Sequence, residues 1–466
     1  MKFKLYNSLA REKQDFVPIE PGVIRMYVCG ITVYDYCHLG HARMMVGFDV
    51  ITRYLRALGW SITYVRNITD IDDKIIQRAQ QVGETHDVLS RRFIDALHED
   101  ERTLNVLPQD VEPHATDYLA QMWQMIDELI ELNYAYLTPS GDIYYRVNKF
   151  EGYGKLSGKI LDELMAGARV EVENEKEDAK DFALWKAATE EEVGWESPWG
   201  RGRPGWHIEC SAMARDTLGT TFDIHGGGPD LLFPHHENEI AQSESANQCE
   251  FARYWMHVGA LRVDGEKMSK SLGNFFTIRD AIKKYHPEVV RYLLISSHYR
   301  SAINYSEQTL IDARGALERF YQTLRNFEKL EITSLEALPA TVWKERFVEA
   351  MSDDFNTPQA LSVLFELARS TNQALEEGDL GAAGELASVL KSLAAVVGLL
   401  QLEPADFLQF GGADALSNDE IEKAIDERLA AKKDRDFSRA DEIREELLAQ
   451  GIQLEDTRDG TIWRRV

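Results

Sequence analysis

The stretch His38-Leu39-Gly40-His41 decides the fold, because it separates a strand-like run from a helical one. Apolar residues at 26–28 precede it, and a helical pattern over residues 44–58 follows it. Helix N-terminal amides at such a strand-to-helix turn bind polyphosphates, and two imidazoles add further donors. Gly40 lets the backbone approach a nucleotide closely. Taken alone, the motif is also compatible with an ordinary surface turn.

A second phosphate-handling motif lies far downstream, at Lys267-Met268-Ser269-Lys270-Ser271. It stands in a polar loop, between residues 264–266 and 272–274. Two lysines on such a loop suit the extra negative charge that phosphorus groups develop in a transition state. This stretch alone could again be a surface turn, but the two motifs together in this order favour a nucleotide-activating enzyme.

Strand and helix patterns alternate around the first motif, from residue 23 to about residue 69. Residues 62–65 are predicted as the second strand, which delivers residues 67–73 at its carboxyl end. Residues 222–225 are predicted as a further strand that runs into the glycines at 226–228. Open α/β sheets bind ligands at this edge. The pattern therefore predicts an α/β protein with a Rossmann-type parallel sheet.

The rest of the chain predicts an insertion, a helical bundle and a small α+β module. Strand-like residues 135–137 and 143–145 flank a turn, residues 150–195 are irregular and acidic, and residues 198–205 form a loop. Helices dominate from residue 278, and two helices and a hairpin follow Gly411. The predicted boundaries are 1–114 and 199–277 for the catalytic domain, 115–198 for a connective insertion, 278–320 for a linking helical region, 321–410 for the bundle and 411–466 for the C-terminal module.

Composition narrows the class of protein. The 466 residues are 44% hydrophobic and 28% charged, and no stretch is long and apolar enough to span a membrane. Four cysteines without CxxC spacing predict free thiols and a cytoplasmic location. The formal net charge of -26 argues against indiscriminate nucleic-acid binding. It does not exclude one specific nucleic-acid partner, because basic residues can gather on one face.

A metal site is one interpretation of the segment that begins at Pro234. This proline is predicted to start a helix, so His235 and Glu239, four residues apart, lie on one face. An imidazole and a carboxylate suit one zinc ion, whereas His236 and Glu237 are predicted to point elsewhere. The segment is equally compatible with a charged helix start, and spacing does not identify further ligands.

The chain resembles the cysteinyl-tRNA synthetases, a family of class I aminoacyl-tRNA synthetases. Residues 267–271 match the KMSKS signature of class I letter for letter, and residues 38–41 differ from the HIGH signature only by leucine for isoleucine. The narrower resemblance is carried by residues 26–35 (MYVCGITVYD), 67–74 (NITDIDDK), 205–211 (GWHIECS) and 233–239 (FPHHENE). It runs over nearly the whole chain and is weakest in the C-terminal tail.

The resemblance implies one zinc ion per chain at the base of the amino-acid pocket. The implied ligands are Cys29, Cys210, His235 and Glu239. Zinc prefers a thiolate, so cysteine would be selected over serine by a bond that serine does not form, without an editing domain. Apart from the resemblance, a cysteine is most simply a buried apolar residue, which is our prediction for Cys37 and Cys249.

The resemblance also implies the reaction and its partners. L-cysteine would be activated by ATP, with Mg²⁺, to cysteinyl-adenylate and transferred to the 3′-terminal ribose of tRNA(Cys). The implied catalytic residues are His38, His41, Lys267 and Lys270, and Gly40 joins His38, His41 and Lys270 in binding ATP. Implied substrate contacts are Thr69, Trp206, His225 and Asp230. The implied state is a monomer.

Two other functions remain open at this stage. A cysteine ligase that passes the adenylate to an amino-sugar would share the catalytic half and its zinc site, but its C-terminal region would be shorter than residues 418–466 provide. A non-catalytic RNA-binding or structural protein would not need both histidines, both lysines and four metal ligands. Zinc stoichiometry separates this last function from the first two.

Overall fold

The computed structural model describes residues 2–159, 175–263, 266–267, 276–327, 329–411, 416–457 and 460–465. Lys270 and most of the second motif lie outside these residues, and for Lys267 only the backbone is described. The strands are β1 (Lys4–Asn7), β2 (Glu12–Asp15), β3 (Val23–Thr32), β4 (Ser61–Thr69), β5 (Ala135–Leu137), β6 (Ile143–Tyr145), β7 (Phe182–Ala187), β8 (Trp195–Ser197), β9 (Gly200–Pro204), β10 (Phe222–Gly227), β11 (Ala252–His257), β12 (Leu261–Val263), β13 (Glu266–Lys267), β14 (Ile303–Tyr305), β15 (Ile452–Thr457) and β16 (Gly460–Arg465).

The described helices follow the same chain order. They are α1 (Leu39–Ala57), α2 (Asp73–Val82), α3 (His86–Thr103), α4 (Leu119–Glu131), α5 (Trp206–Leu218), α6 (Glu237–Asn247), α7 (Ile278–Lys284), α8 (Pro287–Ile295), α9 (Glu307–Leu324), α10 (Val342–Ser352), α11 (Thr357–Glu376), α12 (Leu380–Val396), α13 (Pro404–Leu408), α14 (Asn418–Lys433) and α15 (Phe437–Ala449). Short helical turns occur at Ala115–Tyr118, Val147–Lys149 and Leu232–His236. Of the helices in these ranges, none has the length and apolar content that a membrane crossing requires.

A four-stranded parallel sheet in the order β11-β10-β3-β4 confirms the predicted Rossmann-type fold. The chain passes from β3 through His38–His41 into α1, as the sequence pattern predicts. β3 changes register against β4 between Val28 and Ile31. A Cβ at Gly30 would lie 1.6 Å from the carbonyl oxygen of Asn67, so only glycine fits at this break. The Asn67 side chain accepts the Gly30 amide proton there at 2.8 Å.

Alternation along β3 determines what each face of the sheet carries. Successive side chains of a strand point to opposite faces. Met26 and Val28 join the hydrophobic core that contains α1 and the helical bundle, whereas Tyr27 and Cys29 join the core beneath α5 and α6. Cys29 is therefore buried on the same face as the helices that follow β9 and β10.

Strands β5 to β8 of the insertion form a five-stranded antiparallel sheet, in the order β5-β6-β7-β9-β8, together with β9, which lies just after the predicted boundary at residue 198. The predicted pair β5 and β6 is confirmed, but residues 198–205 were wrongly predicted as a loop, because β9 lies between β7 and β8. Its two glycines differ: a Cβ at Gly202 would lie 2.2 Å from Nε1 of the buried Trp185, whereas Gly200 has a φ of +108° at the turn from β8. The expectation that residues 150–195 are irregular was wrong for β7.

Helices dominate from residue 278, as predicted, and the C-terminal module has the predicted two helices and hairpin. The module has its own small core, in which Trp463 packs against Ile421 and Ile443. Arg465 joins this module to the preceding helices by donating to the Gln409 and Leu416 carbonyls at 2.9 and 2.6 Å.

A buried guanidinium joins helices of the catalytic fold to the bundle. Arg291 of α8 donates to the Asp49 carboxylate on α1 and to the backbone carbonyls of Leu104 and Asn105 after α3. It also donates twice to the Val397 carbonyl at the end of α12, at 2.9 and 3.1 Å. These bonds use donors on all three guanidinium nitrogens, which a buried arginine requires. The start of the catalytic fold and the bundle are thereby fixed to one residue.

A cluster of charged side chains supports the carboxyl end of β4. The Glu112 carboxylate lies 2.9 Å from His98 Nε2 and 3.5 Å from His114 Nε2. The hydrogen bond with Glu112 raises the pKa of both histidines above the usual 6.5. Burial would raise the pKa of Glu112, but the bonds from His114 and His98 outweigh it and lower the value to about 2.

Glu112→Gln should destabilise the protein most near pH 5.5. A raised histidine pKa contributes stability that is complete below about pH 6.5 and is lost as pH rises through the raised values. The lowered pKa of Glu112 contributes stability that is fully present above the ordinary value of about 4.5. This stability is lost as the pH falls toward 2. Since the histidines are partly exposed, we expect a loss of about 1 kcal/mol in unfolding free energy at pH 5.5 and less at pH 9.

Urea denaturation of both proteins at pH 5.5 and pH 9 measures this difference. Glu131→Gln, which changes an exposed glutamate at the end of α4, provides the matched control and should alter neither value. An equal loss at the two pH values would show that Glu112 contributes packing rather than charge.

Candidate active site and metal centre

A cleft of about 590 Å³ opens at the carboxyl ends of β3 and β10. It brings together residues that are far apart in sequence but were predicted to act together. Those that line it are Cys29, His38, Gly40, His41, Trp206 and Asp230. Lys74 of α2 and Arg262 of β12 also line this cleft and place positive charge at its wall. The cleft therefore combines a nucleotide-sized space, positively charged at one wall, with a buried thiol.

The first motif is rigidly held at the start of α1. His38 precedes the helix as its N-cap, and its Nδ1 accepts the His41 amide proton at 3.3 Å. His41 Nδ1 accepts the His38 amide proton in return at 3.3 Å, and the two rings stack with centroids 3.6 Å apart. A ring nitrogen that accepts carries no proton, so each neutral ring carries its proton on Nε2. An N–H donor of this kind suits a phosphate oxygen.

The four predicted metal ligands meet beneath this cleft. Their donor atoms all lie within 4.8 Å of one another, and all four residues are buried: Cys29, Cys210, His235 and Glu239. Glu239 Oε1 lies 3.1 Å from Cys29 Sγ and 3.0 Å from His235 Nε2. The ligands come from β3, α5, the turn Leu232–His236 and α6. Two thiols, an imidazole and a carboxylate are a donor set that suits zinc.

The charges of this cluster also fit a divalent cation. Burial would raise the pKa of the Cys210 thiol, but the hydrogen bond with Cys29 and the charge of His235 lower it to about 6. Burial likewise opposes ionisation of Glu239, yet the charges of His225 and His235 hold its pKa well below the usual range. The thiol of Cys29 has a raised pKa through burial and its bond with Cys210. Burial would lower the pKa of His235, but the charge of Glu239 raises it to about 10, so a proton on this imidazole offsets the anionic groups, and a divalent cation would displace that proton.

A shell of further polar side chains orients the ligands. His207 Nδ1 lies 2.9 Å from His235 Nδ1, and His225 Nε2 lies 2.8 Å from Glu239 Oε2. Such contacts fix the ring orientation of a metal-bound histidine and the rotamer of a carboxylate. The Asn67 amide oxygen lies 3.7 Å from Cys210 Sγ. The cluster is therefore held in place by its neighbours.

The prediction that His236 points elsewhere was wrong. Its Nε2 lies 4.0 Å from Glu239 Oε1, and His236 belongs to a second possible donor set with Cys29, His225 and Glu239. The regular helix α6 starts only at Glu237, and the preceding turn contains Phe233 in an extended conformation, so simple helical spacing does not apply. Glu237 does point away, and it accepts the amide protons of Gly154 and Ser157 at 2.8 Å.

The four predicted substrate contacts divide into two pairs. Trp206 is 37% exposed at the cleft, with its ring 4.4 Å from that of His235, and Asp230 also lines the cleft. Thr69 and His225 are buried behind it instead. The Thr69 hydroxyl donates to Glu209 Oε2 at 3.0 Å, and His225 stacks on Trp255. Direct contact of Thr69 or His225 with a substrate stays a prediction.

Sequence reasoning missed several residues around the cluster. They are Asn67, His207, Glu209, His236 and His257. No spacing rule identifies them, although three lie next to a predicted ligand or contact. The glycine at 227 was a usable sequence signal for close packing at this point. The structure explains it, because a Cβ there would lie 2.8 Å from the His236 ring.

The two remaining cysteines differ from each other. Cys37 is buried in the main core, as predicted. Cys249 is exposed, and the prediction that it is buried was wrong. It lies in the short connection between α6 and β11, after a left-handed residue at Gln248, so its apolar side chain has no core to enter.

Comparisons with known proteins agree along the chain. Residues 15–315 match the catalytic-domain family of tRNA synthetases class I (C), and residues 346–401 match the DALR domain. The cysteine–tRNA ligases of Ectopseudomonas mendocina and Azotobacter vinelandii are each 58% identical over 466 residues, which cover 100% of this chain and 99% and 100% of those proteins.

A solved structure with a similar fold is the Mycobacterium tuberculosis methionyl-tRNA synthetase in complex with methionyl-adenylate. It superposes with a TM-score of 0.59 at 16% identity, over 84% of this chain and 92% of that one. A putative arginyl-tRNA synthetase from Campylobacter jejuni has a TM-score of 0.51 at 14% identity, over 82% of this chain and 93% of that one. At these identities the likeness concerns the fold alone.

Proposed function

Because the chain belongs to the cysteine–tRNA ligases of the class I tRNA synthetase family, and is thus an aminoacyl-tRNA-forming enzyme, we propose that its cleft activates L-cysteine and selects it through a metal-bound thiolate. The observation that carries this proposal is the position of Cys29. It lines the cleft together with His38 and His41, and it also belongs to the buried donor set with Cys210. Nucleotide chemistry and thiol recognition therefore share one wall.

In the first step the carboxylate of cysteine attacks the α-phosphorus of ATP, and pyrophosphate leaves. His38 and His41 donate to phosphate oxygens, while Gly40 leaves room for the nucleotide to approach the start of α1. Lys267 and Lys270 neutralise the charge that develops on the leaving pyrophosphate, and Mg²⁺ enters with the ATP. Positioning and charge carry the rate, since no protein nucleophile is required.

In the second step the 3′-terminal ribose hydroxyl of tRNA(Cys) attacks the cysteinyl-adenylate, and AMP leaves. The catalytic fold in this proposal comprises residues 1–114 and 199–277, with 115–198 as the insertion near the acceptor end. Residues 278–320 link this fold to the bundle at 321–410 and the module at 411–466, which read the tRNA. The enzyme would act as a cytoplasmic monomer.

Selection of cysteine rests on the donor set with both thiols. We assign one zinc ion per chain to Cys29, Cys210, His235 and Glu239, because this donor set contains two thiols, the ligands that zinc prefers. When bound there, zinc supplies a bond to the substrate thiolate that serine does not form at neutral pH. Trp206 and Asp230 lie at the cleft wall, where they confine the rest of the amino acid.

ATP-dependent attachment of radiolabelled cysteine to total tRNA tests the proposal. With serine in competition, cysteine should be preferred by about 10⁴-fold, as expected for a site that bonds to the group distinguishing its substrate. Adenylate formation without transfer to tRNA would instead indicate a ligase that passes cysteine to another acceptor. Absence of cysteine activation would refute the proposal.

A further inference from the structure

Arg43 of α1 is a buried cation that makes no ion pair with a carboxylate among the residues that the structure describes. It lies two residues after His41 and is 1% exposed. Its guanidinium donates instead to three backbone carbonyls, those of Leu294, His298 and Ser301, the last two at 2.6 and 3.3 Å. Burying a charge without a counter-charge costs stability. Stability alone therefore does not explain an arginine at this position.

The carbonyls that Arg43 binds belong to a stretch of chain behind one wall of the cleft. Within this stretch the Tyr299 carbonyl accepts the amide proton of Gly259 at 2.7 Å. A Cβ at Gly259 would lie 2.1 Å from the Ser301 carbonyl oxygen, so the two backbones are in close contact. Because Gly259 lines the cleft, residues 298–301 support the cleft wall directly.

The same wall continues toward the second motif. Strand β12 begins two residues after Gly259 and pairs in parallel with β14, which follows residues 298–301. It also pairs in antiparallel register with β13, where Lys267, the first residue of the second motif, lies opposite Arg262. Arg43 thus connects the helix that starts with the first motif to the strands that lead into the second.

The two neighbours His41 and Arg43 serve different sides of α1. Residues two apart on a helix are separated by about 200°, so His41 lines the cleft while Arg43 is buried behind it. A guanidinium is planar and carries its donors in fixed directions, so it orients several acceptors at once. It is therefore suited to hold one wall of the cleft at a defined distance from α1.

We propose that Arg43 is a positioning residue for adenylate formation, which holds β12, and with it Lys267, in place relative to His41. The proposal rests on the ligase function above and concerns the step in which both motifs act on the phosphates of ATP. Arg43 acts through the backbone of residues 298–301 and touches no substrate. Its loss should therefore slow this step and leave the binding of cysteine at the metal unchanged.

Arg43→Gln tests this role in cysteine-dependent ATP–pyrophosphate exchange. The kcat is expressed per active site, titrated by the burst of adenylate, so that unfolded protein does not count. We expect it to fall by about 10- to 100-fold, the loss that a small misplacement of reacting groups causes. The KM for cysteine and the zinc content should stay at their wild-type values. Arg43→Lys, which keeps the charge and loses the planar donors, should recover part of the rate.

A double-mutant cycle with Lys267→Ala distinguishes positioning from general damage. If Arg43 acts through the second motif, Lys267→Ala should slow exchange far less in the Arg43→Gln background than in the wild type. Residues that act independently would instead multiply their effects. The same cycle with Arg43→Lys stays measurable if the glutamine variant does not fold, and should show a smaller coupling of the same sign.

Arg53 provides the matched control on the same helix. It lies about 15 Å further along α1 and donates to the Asn105 carbonyl at 2.7 Å and to Asp49 at 2.8 Å. Arg53→Gln should lower the melting temperature but change neither the kcat per active site nor the effect of Lys267→Ala.

The outcomes separate this proposal from the ligase function on which it rests. A wild-type kcat per active site in Arg43→Gln, multiplied effects in the cycle, or an equal loss of kcat in Arg53→Gln would each overturn the positioning role alone. Absence of cysteine activation by the wild-type protein would refute the proposed function and the positioning role with it.

Discussion

Replacing Cys210 with serine should abolish metal binding and most cysteine activation. Cys210 supplies one of the two thiols in the buried cluster, and its thiol has the lower pKa of the two. A serine hydroxyl stays protonated and is a poor zinc ligand. We expect zinc content to fall from one per chain to near zero, measured by atomic absorption. Cysteine-dependent pyrophosphate exchange should fall by about 10³-fold or more, and preference over serine should be largely lost.

The chain offers a matched control at Cys249. This cysteine is exposed and lies apart from the cluster, so Cys249→Ser should keep full zinc content and full activity. A Cys210→Ser protein that still holds one zinc and still selects cysteine would rule out this ligand set. In that case the set with His225 and His236 would be tested next, through His236→Asn.

His41→Asn should slow adenylate formation by about 100-fold while leaving the fold intact. His41 has two roles, since Nδ1 accepts the His38 amide proton and the proton on Nε2 can be donated to a phosphate oxygen. Asparagine retains an acceptor for the cap but loses the imidazole donor. Loss of one preorganised donor costs about 2.7–4 kcal/mol in transition-state stabilisation, which is about 10²–10³ in rate.

ATP–pyrophosphate exchange measures the rate of adenylate formation, and thermal denaturation measures the stability of the fold. The melting temperature should stay within a few degrees of wild type, and zinc content should be unchanged. His86→Asn, which alters the first residue of α3, is the control and should not affect exchange. Wild-type exchange in the His41 variant would show that the first motif acts only as a helix cap.

The sequence pattern alone was sufficient to predict those strands and helices whose structure depends on their own residues. The β3 strand, the turn at His38–His41 and α1 were predictable, because the period changes from strand to helix at the turn. β9 was not, since its glycines at 200 and 202 are typical of loops and only the position of Trp185 explains why one of them lies in a strand. Propensity gave the wrong answer there because packing opposed it.

The residues of the candidate site could likewise be predicted only where their positions depend on local sequence. His235 and Glu239 could be paired from their spacing, but Cys29 and Cys210 lie on β3 and α5, which only the parallel sheet brings together. Their assignment depended on resemblance rather than on any rule of spacing. His236 was misplaced because a wide turn precedes α6, and no residue in the segment indicates that geometry except the proline at 234.

The buried contacts of Arg291, which we call the Arg291 junction, restrict the exchange of domains between related enzymes. Its guanidinium binds Asp49, the Leu104 and Asn105 carbonyls and the Val397 carbonyl, which belong to three separate stretches of chain. A chimaera that grafts a foreign bundle onto this catalytic half would leave a buried cation without its acceptors, or a buried carboxylate without its donor. Successful grafts should therefore be those that transplant the whole junction, with Gly398, where a Cβ would lie 2.3 Å from Arg291.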